Sequence, residues 1–134
     1  MVLDTQKAHE AGIFDVRGSI ILRKNYLGKG WRVLEVRLCG VEKIWSVLEY
    51  LQGAFGGNVT GCSDNRKAWV LTGQKAKDFL VEIKPFLKNK RRVKQASFII
   101  QRYVVRKQPG SSGFSQREIY RRIKLERDWN EILH

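Results

Sequence analysis

Residues 11–20 read AGIFDVRGSI. Two small residues, Ala11 and Gly12, stand before Ile13 and Phe14; Asp15, Arg17 and Gly18 follow, and then a β-branched run begins. The stretch reads as a junction. Asp4 or Thr5 caps a helix that runs to about Asp15, and from Ser19 to about Asn25 the pattern is that of a strand. Ala8, Ala11, Gly12 and Asp15 fall at i, i+3, i+4 and i+7, so they share one helix face. Small side chains let two backbones approach closely. Such a face either packs against a copy of itself across a two-fold axis or packs tightly inside its own domain; the spacing alone leaves both open.

Working outward, LGKG (27–30) is a turn and WRVLEVRLC (31–39) a second strand, making a hairpin. On that strand Glu35 and Arg37 take one face and Leu34, Val36 and Leu38 the other. Val41, Ile44, Trp45, Leu48 and Leu51 recur at helical spacing, and Gly56-Gly57 ends that helix. NVTGCSDNRKAWVLTG (58–73) holds two short strands around a turn at Ser63-Asp64-Asn65. Helix resumes in QKAKDFLVEIKPFLKN (74–89) and breaks near Pro85. RRVKQASFIIQRYVVRK (91–107) is a helix with Ala96, Ile99, Ile100 and Tyr103 on its apolar side. After the loop QPGSSG, Ser115 caps a last helix, with Ile119, Ile123, Leu125, Trp129 and Leu133 facing inward.

Two hairpins that each bury one face predict an antiparallel sheet with helices on one side, an α+β fold. Its 134 residues are one domain's worth: a single domain over 1–134, with a core of about 5–105 and a C-terminal helical extension of about 115–134. Lys and Arg number 26 against 13 Asp and Glu, a net charge of +13. So basic a chain favours a polyanionic partner, nucleic acid first. Cys39 and Cys62 form no CxxC or Cys/His cluster, which argues against zinc and for two free thiols in a reducing, intracellular compartment. No apolar run approaches a membrane span, and no membrane association is expected. Trp31, Trp45, Trp69 and Trp129 are spaced as core or edge residues, which disfavours single-strand binding by base stacking.

Glu10-Ala11-Gly12-Ile13-Phe14-Asp15-Val16-Arg17-Gly18 resembles the nine-residue motif of the LAGLIDADG homing endonucleases, and Ser19-Ile20-Ile21 continues that family's pattern. IKPFLKNKRRVKQASFII (83–100) is similar to the family's late segment, with its Pro-aromatic-Leu, spaced lysines and helix. The resemblance covers about residues 5–105. It implies an αββαββα fold, an antiparallel sheet shaped as a DNA-binding saddle, and motif helices that form the dimer interface. Ala8, Ala11, Gly12 and Asp15 are then interface residues, and a single motif in the chain implies a homodimer.

The resemblance also implies an acid at the eighth motif position, holding a divalent metal beside the scissile phosphate. This chain has Arg17 there. A guanidinium offers no lone pair to Mg²⁺ and stays charged. Asp15, at a motif position of mainly structural role, and Glu10, nearly two turns back, are the nearby acids; Asp15 and Lys90 are the weak catalytic candidates. Lys90 matches a family lysine that lies near the scissile phosphates. Where the family often has a polar residue helping to hold active-site water, this chain has Cys39-Gly40. Arg17 suits phosphate neutralisation better than cleavage; the plainer alternative is a solvated charge favoured by the helix macrodipole.

A concave sheet reads base edges in the major groove with alternate side chains. Strand alternation nominates Ile21, Arg23, Asn25, Glu35 and Arg37, and the second hairpin offers Asn58, Thr60, Arg66 and Lys67. Lys88, Lys90, Arg91 and Arg92 are expected phosphate contacts. The reading is sequence-specific binding of double-stranded DNA by a homodimer without cleavage and with no metal or other cofactor. The alternatives are an active endonuclease using Mg²⁺ and an RNA-binding intron maturase.

Overall fold

The structure is a computed structural model that describes residues 4–24, 32–103 and 115–133. Helix α1 (Asp4–Arg17) runs straight into strand β1 (Gly18–Lys24), which pairs with β2 (Arg32–Gly40). A short 3₁₀ turn, Glu42–Ile44, precedes α2 (Trp45–Phe55). Strands β3 (Asn58–Ser63) and β4 (Arg66–Thr72) form the second hairpin, α3 (Gly73–Ile83) returns across the sheet, and a 3₁₀ turn at Lys84–Phe86 leads to α4 (Lys90–Arg102). Helix α5 is Gln116–Leu133. The sheet has four strands in the order β1-β2-β4-β3, and every pairing is antiparallel. This is the expected α+β fold with an antiparallel sheet.

One sheet face is dry. Ile20, Leu22, Leu34, Val36, Leu38, Trp69 and Leu71 are buried on it, and Phe14, Leu48, Leu51, Phe79, Leu80 and Ile83 from the helices pack above. The centre is aromatic: Phe79 stands edge-on to Trp69 at 5.1 Å, to Phe55 at 4.9 Å and to Phe14 at 5.6 Å. Trp69 Nε1 donates to the Gly56 carbonyl at 2.8 Å, which satisfies the one polar atom of the ring.

Two glycines are dictated by space. At Gly18 a Cβ would stand 2.1 Å from the Phe14 ring, so only glycine lets the chain leave α1 and enter β1 beneath that ring. Gly57 has φ +89°, and a Cβ there would lie 2.4 Å from the Val70 carbonyl.

Three expectations on the helices are corrected. The helix anticipated from Val41 begins with the 3₁₀ turn. Tyr103 lies just past α4 in extended backbone, and its hydroxyl accepts a bond from the Leu34 N–H at 3.1 Å, beyond the end of β4 pairing. On α5, Leu125 and Trp129 are buried but Ile123 is 62% exposed: positions 123 and 125 differ by about 200° around a helix, so they cannot share its inner face. The side chain of Ile119, and residues 104–107 of the expected fourth helix, lie outside the described residues. Trp129 packs on Phe98 at 5.6 Å, and Arg102 reaches Asp128 at 2.6 Å, docking α5 on α4.

Candidate nucleic-acid interface

The face of the sheet turned away from α2 and α3 is where alternation sends the polar residues. Register fixes its rows: Ser19, Arg37, Val70 and Asn58 line up across all four strands, as do Cys39, Ala68 and Thr60 across three. Asn58, Thr60 and Arg66 are exposed, and Ile21 and Arg37 are half-buried. Arg23 stands opposite Val33 in the β1–β2 register; its side chain and the whole of Asn25 lie outside the described residues.

Two nominated residues do not present themselves on this face. Glu35 is only 6% exposed, between Ile21 and Thr72 in the register, so its carboxylate is turned from solvent. Lys67 lies on the helix side, with Nζ 4.2 Å above the centre of the Trp45 ring. Arg66 and Lys67 are consecutive strand residues, and period-two alternation separates them.

A basic corner adjoins the sheet where α1 ends and α4 begins. Asp15 builds it: its Oδ2 accepts from the Lys88 N–H at 2.8 Å and its Oδ1 from the Asn89 N–H at 3.3 Å. Asn89 in turn caps α4, accepting from the Arg91 and Arg92 N–H groups at 3.0 and 3.3 Å. Arg17, Lys88, Lys90 and Arg91 are exposed around this junction. Lys90, Arg91 and Arg92 occupy the first turn of α4, where the macrodipole favours anions and disfavours cations. An anion seated there relieves both the dipole and the crowded side chains.

Arg92 does not belong to the exposed set. Its guanidinium donates to the Gly18 carbonyl and to Gln95 Oε1, the latter at 3.0 Å, and sits 6.0 Å from the Phe14 ring centre. Burial, and the Arg91 charge beside it, lower its pKa. It fastens α4 to the α1–β1 junction, a role that a basic run in sequence does not distinguish from phosphate contact. Arg91 also bonds the Leu133 carbonyl at the end of α5.

The small-residue face of α1 is split. Ala11 is fully buried in the core, and Asp15 is engaged with the start of α4. Ala8 and Gly12 are exposed, and a Cβ built on Gly12 meets nothing within 4 Å. Val16, 80% exposed, continues the line at i+4. The open stripe is therefore Ala8, Gly12 and Val16, a pattern readable from i, i+4, i+8 spacing but missed when Ala11 was grouped with Gly12.

No protein-family model matches this chain, and no curated protein matches it by sequence. Solved structures do. The homing endonuclease I-CvuI in complex with its target superposes with a TM-score of 0.72 at 19% identity, over 96% of this chain and 82% of that one. The chain has the LAGLIDADG homing-endonuclease fold. The homing endonuclease I-TnaI aligns at TM-score 0.61 and 21% identity over 98% and 86% of the two chains. The I-SmaMI LAGLIDADG homing endonuclease bound to cleaved DNA aligns at 0.59 and 17%, covering 89% of this chain and 42% of its own. This chain thus spans under half of I-SmaMI, and 64% of I-CvuI in a further complex.

On this fold the donor set at the end of α1 does not fit a divalent metal. Arg17 is a cation, and both Asp15 oxygens are already committed to backbone N–H groups. Among the described residues no three His, Cys, Asp or Glu side chains converge as a metal site, and no helix is long and apolar enough to cross a membrane.

Glu10 is 2% exposed, and neither carboxylate oxygen has a hydrogen-bond partner. It lines a cavity of about 370 Å³ between α1 and α2, with His9, Ser46 and Tyr50. Burial pushes its carboxyl up, while Tyr50, without reaching hydrogen-bond geometry, and His9 pull part of that back. An acid with a raised folded pKa contributes stability below its ordinary range, and that contribution is lost as pH rises through the folded value. Glu10→Gln is expected to stabilise the chain at neutral pH by on the order of 1 kcal/mol, with the gain shrinking as pH falls through the raised folded value and gone once pH is below the usual glutamate range. Urea titrations at neutral and acid pH check this; a loss of stability at neutral pH contradicts it.

Proposed function

We propose that this chain binds double-stranded DNA sequence-specifically, as a homodimer on the homing-endonuclease scaffold, and does not cleave it. The observation that carries this is a charged sheet face joined to an exposed basic corner on a chain of net charge +13. I-CvuI, in a complex with its DNA not cleaved, and I-SmaMI, bound to cleaved DNA, share the fold. Arg37, Asn58, Thr60 and Arg66 face base edges in the major groove, while Arg17, Lys88, Lys90 and Arg91 hold phosphates. The Ala8–Gly12–Val16 stripe packs against its own copy across the two-fold axis.

Affinity for duplex DNA is expected to fall with salt by about −0.9 in log K per log salt for each phosphate contact. Lys90→Ala flattens the slope by about one such contact per protomer, and Lys67→Ala, on the helix side, leaves it unchanged. Arg37→Ala relaxes preference at one base position at about 1–3 kcal/mol. Gly12→Leu, at an exposed position where a Cβ meets nothing within 4 Å inside one chain, weakens the dimer by about 1–3 kcal/mol, read by sedimentation. Salt-independent binding, a monomer on DNA, or preference for structured RNA over duplex overturns the reading; the last result installs a maturase-type RNA binder in its place.

A further inference from the structure

Cys39 Sγ and Cys62 Sγ stand 3.0 Å apart. The contact is unexpected, because β4 runs between their strands, and neighbours once removed in a sheet are about 9–10 Å apart. Two local features bring the thiols together. Ala68, which pairs with Cys39 on one side and Thr60 on the other, is fully buried and has too short a side chain to fill the space beside Cys39. Strand β3 has a bulge between Gly61 and Ser63 that leaves Cys62 without a partner in the register; bulges re-aim side chains in this way. The pair does not suit a metal. Tetrahedral zinc with bonds of about 2.3 Å holds two sulfurs roughly 3.8 Å apart, wider than the gap here, and no third ligand converges among the described residues.

We propose that Cys39 and Cys62 form a reversible modification site: an intramolecular dithiol that closes to a disulfide in exchange with a low-molecular-weight disulfide such as oxidised glutathione. The sulfurs stand about 1 Å beyond a disulfide bond of about 2.05 Å, and the bulged end of β3 is where the backbone adjusts on closure. Cys62 is exposed and Cys39 half-buried, so the order of events follows access. The Cys62 thiolate attacks one sulfur of oxidised glutathione and expels a glutathione thiolate. Cys39, having lost its proton to solvent, then attacks Cys62 Sγ and expels the second. The protein loses two electrons and two protons, and one oxidised glutathione becomes two reduced ones. Cys39 lies on the open sheet face, in the row of Cys39, Ala68 and Thr60, and Cys62 meets it from the bulged end of β3. That it is a redox mark on the DNA-contacting surface rests on the function proposed above.

The test is incubation of the reduced native chain with oxidised glutathione, followed by intact mass and non-reducing peptide mapping. The expected product is a single chain lighter by two hydrogens, with the 39 and 62 peptides joined and the change reversed by dithiothreitol. Cys39→Ser is expected to stop at a stable glutathione adduct on Cys62, and Cys62→Ser to react far more slowly. A native chain that accumulates a stable glutathione adduct, or that links only to other chains, overturns the proposal. A second arm repeats the reaction with random-sequence duplex at low salt. With about nine-tenths of the protein bound, closure is expected to slow about tenfold, because only the free fraction reacts. Closure at an undiminished rate on bound DNA removes the pair from the DNA surface and leaves the dithiol site standing.

Discussion

Replacing Trp69 with alanine is expected to remove about 3–5 kcal/mol of folding stability. The residue sits on β4, with a paired strand on each side, and is fully buried. Its ring meets Phe79 at 5.1 Å and Phe55 at 6.4 Å, so truncation opens a cavity at the point where α2, α3 and the sheet converge. It also leaves the Gly56 carbonyl without the indole N–H that fixes the turn into β3. Gly57 follows at φ +89° with no room for even a Cβ beside the Val70 carbonyl, so this turn has little room to collapse into the gap. Trp69→Phe keeps most of the packing but not the N–H, and its cost is expected near 1–3 kcal/mol. Trp45→Ala, at a half-buried residue whose indole N–H has no partner, costs less than either. Urea unfolding checks the order through the midpoints, with the slopes unchanged. A Trp69→Ala midpoint close to native contradicts it.

The sheet was legible because its signal is strictly local. Strands β1 and β2 alternate apolar and polar residues, and their observed register puts Ile20, Leu22, Leu34, Val36 and Leu38 inward as alternation requires. The junction at Gly18 was legible for the same reason, helix period giving way to strand period across one glycine. The site was legible only as a region. Which members of a basic run meet solvent depends on what another element puts beside them: Arg92 reads like Lys90 and Arg91 until the Gly18 carbonyl and Gln95 occupy its guanidinium. Ala11 and Gly12 read alike as small residues, yet one faces the core and the other solvent. Lys67 was misplaced by overlooking alternation, an error the sequence itself could have corrected. The Cys39–Cys62 contact depends on a bulge between Gly61 and Ser63, and no periodic pattern marks a bulge.

The native chain is expected to leave supercoiled plasmid intact in Mg²⁺ or Mn²⁺ while still binding it. Hydrolysis of a phosphodiester by a divalent metal needs hard oxygen ligands at the phosphate, to activate water and to stabilise the leaving oxygen. At the end of α1 this chain offers an exposed guanidinium instead, and the homodimer proposed above would bring two of them together. Asp15 cannot take over without giving up the Lys88 and Asn89 N–H groups, which hold the start of α4 in place. Glu10 is buried against α2, and burial there disfavours the carboxylate form that a metal would need. Binding is expected to survive, because Arg17 keeps an exposed positive charge where the proposed complex places phosphate. Arg17→Ala is expected to weaken duplex affinity by no more than about 3 kcal/mol, the range of a hydrogen bond to a charged group. Arg17→Asp places an acid at the motif position and is expected to give metal-dependent nicking that native protein lacks, slower than a full active site because Cys39 and Gly40 supply no polar side chain to hold water. The assay is plasmid carrying a selected binding site, incubated with each metal and resolved into supercoiled, nicked and linear forms. Linear product from native protein, abolished by chelation and by Asp15→Asn, overturns the non-cleaving reading and makes Asp15 a metal ligand.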